Sequence, residues 1–462
     1  MALRGVSKGR MATSQGQPGG GAGPSAEGPA SRRGSRIAVV RGLRTPFARS
    51  ATAYRDLSAL DLGILLAREL LARAELDPTE VDLVVFGQAG PGVHAANVAR
   101  DIVLGAGMPR AIQAFSVSRA CATSFQAMTS AAEAMLAGQA SVAIVGGTDS
   151  ASDAPIVVSQ ALARAVAQAR GARTLGERLR AFAKLSPGDL LPVSPDASEP
   201  LPGTRIRMGD AAESMAKEAR ITREQQDAFA HRSHARAASA WNAGVFADEV
   251  MHVVPPPSFD CPVTEDNVTR RDWTLESYAR LPPAFDARHG TVTKGNSTVA
   301  TDGAAALLLM TEARAKELGY TPLGYLRSWA YSGADPNRWP LMGPAFAAPA
   351  ALDALGAKLT DVALIEMHEA FAAQVLCNVK MFGSRAFARQ ELGRDEPLGE
   401  VDMDRFNVHG GSIGIGHPSA ATGARIVTTL LHELRRRGGG LGLATGSAAG
   451  GLGAAAVMEA VA

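Results

Sequence analysis

The sequence predicts an α/β fold, in which helices cover a largely parallel β-sheet, and three observations lead to this prediction. Short β-branched runs alternate with longer stretches at helical spacing through residues 36–150, and again from residue 304 onward. A helix-rich stretch, residues 151–290, interrupts this alternation. Segments of the earlier and later parts of the chain resemble one another in the same order, which indicates two related halves, the first of them interrupted by this stretch.

The composition indicates a globular enzyme that needs neither disulfides nor a structural metal. The chain has 462 residues, and at about 150 residues per domain this length suggests three units. It contains three cysteines and no C-x-x-C or H-x₃₋₅-H pair, so we expect no disulfide framework and no metal site. The net charge of +2 gives no reason to expect nucleic acid as a partner. No apolar run approaches the roughly 18 residues of a membrane span, so we expect none.

Residues 1–35 are rich in Gly, Ser, Pro and Ala and hold one acid, Glu27, so we expect a disordered tail. Two other interpretations stay open. Met11 could be the true start, or the tail could be an Arg- and Ser-rich transit peptide. We expect a cytoplasmic protein, and a mitochondrial one if the tail is a transit peptide.

The elements of the first half follow from its periodicity. Leucines recur at helical spacing within 58–76, while β-branched runs bounded by Gly or Pro read as strands. The predicted elements are strand 37–40, helix 58–76, strand 81–86, helix 95–104, strand 114–117, helix 121–136 and strand 141–145.

The insertion and the second half show further signals. Thr222 and Gln225 have capping-box spacing and open a helix to about Trp241. The alternation then resumes with strand 304–310, strand 362–367 and helix 420–434. The internal similarities pair 78–86 with 359–367, 115–118 with 406–409, and 303–310 with 453–458. Such halves form a pseudo-twofold core, with ligand sites typically at the junction.

Cys121 is the first candidate for chemistry. It opens a predicted helix, where backbone N–H groups and the helix dipole would stabilise a thiolate and lower the pKa of the thiol. We therefore consider it a nucleophile. The alternative is a buried structural cysteine.

His417 ends a glycine-rich loop, residues 410–418, just before an apolar helix. A helix N-terminus disfavours the imidazolium, so we expect a neutral imidazole that acts as base or hydrogen-bond donor. The alternative is a capping histidine in a phosphate loop, although no Walker lysine follows.

Two more segments could contribute. His368 and Glu369 directly follow strand 362–367, at the strand end where α/β sheets place ligand-binding groups; the alternative is a polar turn. Residues 446–453 form a second glycine-rich turn between short apolar runs, either an oxyanion site or a tight hairpin.

Taken together, these motifs resemble the thiolase family over residues 36–462. They are Arg-Thr-Pro-Phe from Arg44, Ser-Arg-Ala-Cys-Ala-Thr-Ser around Cys121, Gly-Gly-Thr-Asp from Gly146, Gly-Asn-Ser-Thr from Gly295, His-Glu-Ala-Phe from His368 and Gly-His-Pro around His417. Histidine rather than asparagine at position 368 looks most like the β-subunit of the fatty-acid oxidation trifunctional complex.

The resemblance implies a five-layer α-β-α-β-α fold from two βαβαβαββ halves. The N-terminal half would comprise residues 36–150 and 291–316, and the C-terminal half residues 317–462. Between them, residues 151–290 would form a loop domain that grips coenzyme A. The resemblance further implies acyl-CoA and CoA as ligands, with CoA a substrate and no permanent cofactor. It also implies a homo-oligomer (dimer or tetramer) and a hydratase/3-hydroxyacyl-CoA dehydrogenase partner subunit.

The resemblance also assigns roles to particular residues. Cys121 would take the acyl group from a 3-ketoacyl-CoA. His417 would accept the thiol proton and, with His368, hold the thioester oxygen or a water that stabilises the enolate. Backbone N–H groups of Cys121, Ala449 and Gly450 would bind the oxyanion of the tetrahedral intermediate. Substrate and CoA would contact four further residues, Asn296, Thr298, Met208 and Phe371.

One position departs from the family pattern. The family's second catalytic cysteine, which shuttles a proton, corresponds to Ser447 here. A hydroxyl is a much weaker acid than a thiol, so we expect impaired carbon–carbon chemistry unless water or His417 substitutes. Neither Cys261 nor Cys377 is an obvious replacement. The functional alternatives are an acyl-CoA hydrolase or acyltransferase without carbon–carbon chemistry, a non-catalytic acyl-CoA-binding subunit, and a ketosynthase.

Overall fold

The computed structural model describes residues 36–90, 96–155, 158–191, 206–257 and 259–461. The tail predicted to be disordered, residues 1–35, lies outside this range. Ten strands occur in the described ranges. They are β1 (Ile37–Arg44), β2 (Ala48–Arg49), β3 (Leu83–Gly87), β4 (Gln113–Val117), β5 (Val142–Asp149), β6 (Thr301–Thr311), β7 (Gly324–Gly333), β8 (Val362–Met367), β9 (Gly440–Ala448) and β10 (Leu452–Ala460).

The same part of the chain contains fourteen α-helices. They are α1 (Ala59–Ala74), α2 (Val98–Gly105), α3 (Thr123–Leu136), α4 (Gln160–Gly171), α5 (Leu175–Phe182), α6 (Met208–Glu218), α7 (Arg223–Asn242), α8 (Leu275–Ala279), α9 (Glu312–Glu317), α10 (Gly343–Leu355), α11 (Ala372–Phe382), α12 (Arg385–Glu391), α13 (Ser412–Ile415) and α14 (Thr422–Arg436). The sequence thus predicts the main elements of the first half and, in the second half, β8 and α14, and β8 matches its prediction to the residue. It gives no prediction for β7, α10 and α11.

The strands pair in the order β4-β3-β5-β6-β1-β7-β10-β9-β8, with β2 added to β6. The prediction of a largely parallel sheet is wrong. Only the β3–β4, β3–β5 and β8–β9 pairs are parallel among the described strands, and the others are antiparallel. The physical reason lies in the connections: β9 and β10 are joined by a tight turn, which forces antiparallel pairing, whereas helical crossovers precede the parallel strands.

The two related halves are confirmed by the symmetry of this strand order. β1 and β7 are antiparallel neighbours at the centre, and β6-β5-β3 on one side corresponds to β10-β9-β8 on the other. The pairing of 115–118 with 406–409 also has a structural counterpart. Phe406 bridges in parallel to Ile365 of β8, as β4 pairs in parallel with β3.

Five layers follow from where the apolar side chains are buried. Helices α1 and α2 pack on one face of the first half-sheet, and α10 and α11 pack on the outer face of the second. Helices α3 and α14 lie between the half-sheets and share one core with both of them. The layering is therefore α-β-α-β-α, and the small residues Ala127, Ala131 and Ala424 allow the two central helices to be fully enclosed.

The insertion between β5 and β6 contributes α4 to α8 and, within its described residues, no strand. The predicted capping box is present, since Thr222 accepts from the backbone N–H of Gln225. A buried bidentate ion pair, Arg44 with Asp266 at 2.7 and 2.9 Å, ties the insertion to β1. The domain boundaries given above stay a prediction. No helix in the described ranges is long and apolar enough to cross a membrane.

Candidate active site

Cys121 stands in a tight turn between β4 and α3. The preceding residue, Ala120, has φ of +45°, a left-handed conformation that costs free energy in any residue but glycine. Thr123 stabilises this turn, because its hydroxyl donates to the Ala120 carbonyl (2.7 Å) and accepts from Arg119 N–H (2.8 Å). Helix α3 therefore begins two residues after Cys121, not at it.

The thiol of Cys121 meets the imidazole of His417. The Cys121 Sγ atom lies 3.2 Å from His417 Nε2, and His417 Nδ1 lies 2.6 Å from the Thr422 hydroxyl oxygen. Thr422 donates its proton to the carbonyl of Pro418 (3.4 Å), so its oxygen accepts from His417 Nδ1–H. This arrangement leaves the lone pair of Nε2 free to accept the thiol proton.

The ionisation of this pair corrects one prediction. Burial, reinforced by the charge of Asp149, raises the pKa of the Cys121 thiol to about 12. The predicted lowering of this pKa by a helix N-terminus is wrong, because the helix starts later and burial outweighs its dipole. Burial, and then the nearby Arg425 cation, lowers the pKa of His417 to about 3. At neutral pH the site holds a thiol and a neutral imidazole, the latter as expected.

His368 directly follows β8 and reaches the same point. Its backbone N–H donates to Thr445 of β9 (2.9 Å), and its ring stacks at 4.1 Å from the ring of His417. Burial lowers the pKa of His368 well below its ordinary value, with smaller contributions from His417 and Arg425. The ligating atoms of Cys121, His368 and His417 all lie within 4.8 Å of one another, and by atom type they would suit a zinc ion.

Glu369 holds the glycine-rich loop against helix α7. Its buried carboxylate accepts from the Ser233 hydroxyl (2.7 Å), Ile413 N–H (3.0 Å) and Asn407 Nδ2 (2.7 Å). Glycine is required at Gly411, since a Cβ atom there would lie 2.3 Å from the Glu369 carboxylate carbon. In this polar turn, His368 thus belongs to the thiol site, whereas Glu369 has a structural role.

The second glycine-rich segment is a hairpin, and Ser447 lies on its first strand. The turn between β9 and β10 includes Gly450 and Gly451, both with positive φ. Ser447 pairs with Gly453 of β10 and is 2% exposed. Its Oγ atom has no hydrogen-bond partner among the described residues. The role of Ala449 and Gly450 N–H groups as oxyanion donors stays a prediction.

The segment 296–300 lies beside the two segments that carry the histidines, since Ser297 bridges to Phe371 and Ala300 bridges to His417. Thr298 donates its backbone N–H to Ala370 (3.0 Å) and its hydroxyl to the Ser412 carbonyl (2.7 Å). The side-chain amide of Asn296 is used internally, since it donates to Asp227 (2.8 Å) and to the Thr291 carbonyl. CoA binding by Asn296 and Thr298 stays a prediction.

Met208 and Phe371 are half-buried against the same apolar cluster, where Phe371 makes an edge-on contact with Phe285 at 6.3 Å. Their assignment to the substrate and CoA channel likewise stays a prediction.

Comparison with known proteins agrees with this geometry. Residues 37–313 match the model of the thiolase N-terminal domain, and residues 320–460 match that of the thiolase C-terminal domain. The chain belongs to the thiolase family.

Curated relatives and solved structures extend the match over nearly the whole chain. A "3-ketoacyl-CoA thiolase" of Pectobacterium carotovorum subsp. carotovorum is 59% identical over 93% of this chain and 97% of the relative, and one of Serratia proteamaculans is 57% identical over 93% and 98%. Among solved structures, the Bacillus anthracis acetyl-CoA acetyltransferase has a TM-score of 0.79 at 31% identity, covering 92% of this chain and 99% of that one. Human mitochondrial 3-ketoacyl-CoA thiolase in complex with CoA has a TM-score of 0.78 at 30% identity, covering 93% and 98%.

Three residues of this thiolase's site escape sequence reasoning: Thr422, Ser412 and Arg425. Thr422 orients His417, while Ser412 lies 2.7 Å from His368 Nδ1 and accepts from Arg425 at 3.2 Å. A signal existed only for Arg425, which places a charge within the otherwise apolar start of helix 420–434.

That neither of the other two cysteines replaces the family's thiol at position 447 stays a prediction. Cys261 is exposed on the insertion, and Cys377 is buried on α11. The Cys377 thiol donates to the carbonyl of Met215 in the insertion, at 3.4 Å.

Proposed function

We propose that this thiolase cleaves 3-ketoacyl-CoA with CoA, giving acetyl-CoA and an acyl-CoA shorter by two carbons. The contact of Cys121 Sγ with a neutral His417 Nε2 at 3.2 Å carries the proposal, because it pairs a nucleophile with its base. The names of the Pectobacterium and Serratia relatives support the substrate class. The human structure, which holds CoA, supports CoA as a substrate.

The first half-reaction transfers the acyl group to the enzyme. His417 Nε2 takes the thiol proton as Cys121 Sγ bonds to the 3-keto carbon, and the carbonyl oxygen becomes an oxyanion that the backbone N–H groups of Cys121 and Gly450 would bind. The bond between carbons 2 and 3 then breaks. Its electron pair leaves with acetyl-CoA as an enolate, whose oxygen His368 Nε2 would stabilise, while the acyl group stays on Cys121 as a thioester. The enolate takes the proton that His417 holds.

The second half-reaction restores the thiol. Incoming CoA gives its thiol proton to His417 and attacks the thioester carbon, and the tetrahedral intermediate expels Cys121 as a thiolate. Cys121 then recovers the proton from His417. Because Cys121 and His417 are both neutral at rest, proton transfer accompanies each attack and no standing ion pair is needed.

Ser447 makes His417 the sole proton carrier in this scheme. Its hydroxyl is buried, lacks a partner among the described residues and is a far weaker acid than a thiol. We infer that protonation of the enolate, rather than acyl transfer, is the slow step. The enzyme would then remain a thiolase with reduced carbon–carbon turnover.

The alternatives receive less support. A non-catalytic acyl-CoA-binding subunit would have no use for an assembled pair of Cys121 and His417. A hydrolase or other acyltransferase, and likewise a ketosynthase, would require a different acceptor, whereas relatives at 57–59% identity over 93% of the chain are named as thiolases.

We propose a role in fatty-acid β-oxidation within an oligomer. β4 forms one edge of the sheet and exposes 41% of Phe115, which suits pairing with a second copy. Exposed leucines on the insertion, Leu175 and Leu179 among them, suit a hydratase/3-hydroxyacyl-CoA dehydrogenase subunit. A reducing compartment, the cytoplasm, would keep the Cys121 thiol free.

The proposal is tested by assaying the purified full chain with 3-ketoacyl-CoA and CoA. We expect acetyl-CoA and the shortened acyl-CoA in equal amounts. Cys121→Ala should abolish the reaction, and Cys261→Ala, which alters an exposed thiol, should leave it unchanged. Release of free fatty acid without acetyl-CoA would instead identify a hydrolase, and activity retained by Cys121→Ala would contradict the proposal.

A further inference from the structure

We propose that Ser412 is a positioning residue that sets the tautomer of His368, with its own hydroxyl oriented by Arg425. As a statement about catalysis, the inference rests on the proposed thiolase reaction. As a statement about the ring proton, it stands alone. The elements involved lie far apart in sequence: His368 follows β8, Ser412 opens α13, and Arg425 lies in the first turn of α14.

The hydrogen bonds around Ser412 determine which way its proton points. Arg425 Nη2 lies 3.2 Å from Ser412 Oγ, and a guanidinium donates hydrogen bonds but never accepts them. Ser412 Oγ therefore accepts from Arg425. Its remaining short contact is His368 Nδ1 at 2.7 Å. The hydroxyl oxygen has a second lone pair and could also accept from an Nδ1–H group, but its own buried proton would then have no acceptor among the described residues. We therefore infer that the hydroxyl donates to His368 Nδ1. His368 Nδ1 thus carries a lone pair, and the ring proton resides on Nε2.

Arg425 is itself held in place for this task. Its side chain is fully buried, and its Nη1 atom pairs with Glu366 at 3.3 Å. Glu366 and His368 are two residues apart at the end of β8, where side chains alternate between faces. One guanidinium therefore links the strand that carries His368 to the serine that contacts its ring.

The proton on Nε2 faces the thiol site without a partner. His368 Nε2 is a buried atom that makes no hydrogen bond within the described residues. One ring nitrogen of His368 lies within 4.8 Å of Cys121 Sγ and of a His417 nitrogen. Because Nδ1 is bonded to Ser412, Nε2 is the nitrogen that remains for this site. An N–H donor there suits the enolate oxygen that forms when the bond between carbons 2 and 3 breaks.

The opposite tautomer would harm the reaction. With the proton on Nδ1, His368 would point a lone pair at the developing negative charge and repel it. Because removing one oxyanion donor costs on the order of 10²–10³ in kcat, the tautomer matters for rate. The tautomer set by Ser412 also removes the Nε2 lone pair that a zinc ion would need, so it disfavours metal binding by this group.

The tautomer is read directly by ¹⁵N NMR of the full chain labelled at histidine, since a protonated and an unprotonated ring nitrogen have distinct shifts. The His368 signals are assigned as those lost in His368→Asn. We expect Nε2 protonated and Nδ1 bare in the wild type. A wild type with Nδ1 protonated would overturn the inference, whether or not the enzyme turns over.

Substitution then tests whether Ser412 causes this state. In Ser412→Ala we expect protonation to shift towards Nδ1 and kcat for thiolysis to fall about 10- to 100-fold with KM changed less than about twofold. Ser412→Thr, which keeps the hydroxyl, should restore both. The matched control is Ser328→Ala. Ser328 is a buried serine whose hydroxyl donates to the Ala351 carbonyl, so its loss should change neither the His368 tautomer nor kcat.

The outcomes separate the inference from the proposed function. Unchanged His368 signals and unchanged kcat in a folded Ser412→Ala protein would overturn the inference. If Ser412→Ala fails to fold, the inference is tested by the wild-type ¹⁵N spectrum and by Ser412→Thr. Protonation at Nδ1 of His368 in either protein would overturn it. Absence of thiolysis in a wild type with protonated Nε2 would contradict the proposed function while the tautomer assignment stands.

Discussion

The Nε2 atom of His417 lies 3.2 Å from the Sγ atom of Cys121, although 296 positions of sequence separate the two residues. The two related halves of the fold create this contact. Cys121 follows β4 of the first half and His417 precedes α14 of the second, and the helices that follow both residues are the two central ones. The nucleophile and its base therefore meet only when the halves pack together.

The raised pKa of Cys121 predicts how its reactivity depends on pH. The thiolate is the reactive form, and burial holds the pKa at about 12. Below that value each unit of pH increases the thiolate fraction about tenfold. The rate of alkylation by iodoacetamide should therefore rise about tenfold for each unit of pH between about pH 7 and 10. The measurement is the rate of Cys121 labelling by peptide mass spectrometry. A plateau below about pH 8 would show an activated thiolate instead.

Loss of the base should reduce turnover strongly. In His417→Ala no group takes the thiol proton, so we expect kcat to fall by about 10²–10⁴-fold, the range typical of general acid–base groups. His289→Ala, at an exposed histidine of the insertion, is the matched control. A kcat of His417→Ala within about threefold of wild type would exclude His417 as the base.

Position 447 should limit the carbon–carbon step. Ser447→Cys replaces a hydroxyl with a thiol, which is a far stronger acid in the same surroundings, so we expect steady-state thiolysis to rise on the order of tenfold. Formation of the acyl-enzyme, measured in a single turnover, should change little. Equal steady-state rates in the two proteins would mean that the proton reaches the enolate by a route independent of this side chain.

Asp266 should contribute strongly to stability. Its carboxylate forms two hydrogen bonds with the fully buried Arg44 and accepts from Phe47 N–H at 2.7 Å. Asp266→Ala removes both hydrogen bonds from this buried cation and leaves it only the Glu249 carboxylate, 3.9 Å from its Nε atom. We therefore expect about 3–5 kcal/mol less free energy of unfolding in urea titrations. The control is Glu396→Ala, which breaks an exposed pair with Arg385 and should leave the midpoint unchanged. Equal midpoints for the two variants would contradict this account.

Sequence periodicity predicts the elements well because each element buries a face with a fixed repeat. β8 is predicted to the residue, and the capping box of α7 is present. The direction of the strand pairs is predicted wrongly, because it depends on how the strands are connected, as in the tight turn between β9 and β10, and not on the periodicity of any one strand.

The chemistry of the site divides in the same way. Cys121, His368 and His417 are found from sequence because each sits beside a turn signal. The direction of the pKa shift of Cys121 is predicted wrongly. The shift is caused by burial under other elements of the fold, and the local sequence around a residue does not reveal this burial. Ser412 and Arg425 are missed because their contacts join three separate elements.

The central claim is that Cys121 carries the acyl group of a 3-ketoacyl-CoA, and intact-protein mass spectrometry tests it most directly. The protein is mixed with a 3-ketoacyl-CoA in the absence of free CoA and quenched in acid. We predict a mass increase equal to the shortened acyl group, mapped to the peptide that contains Cys121 and accompanied by one released acetyl-CoA per chain. An acyl group on any other residue, or release of acetyl-CoA from a chain whose Cys121 stays unmodified, would contradict the account.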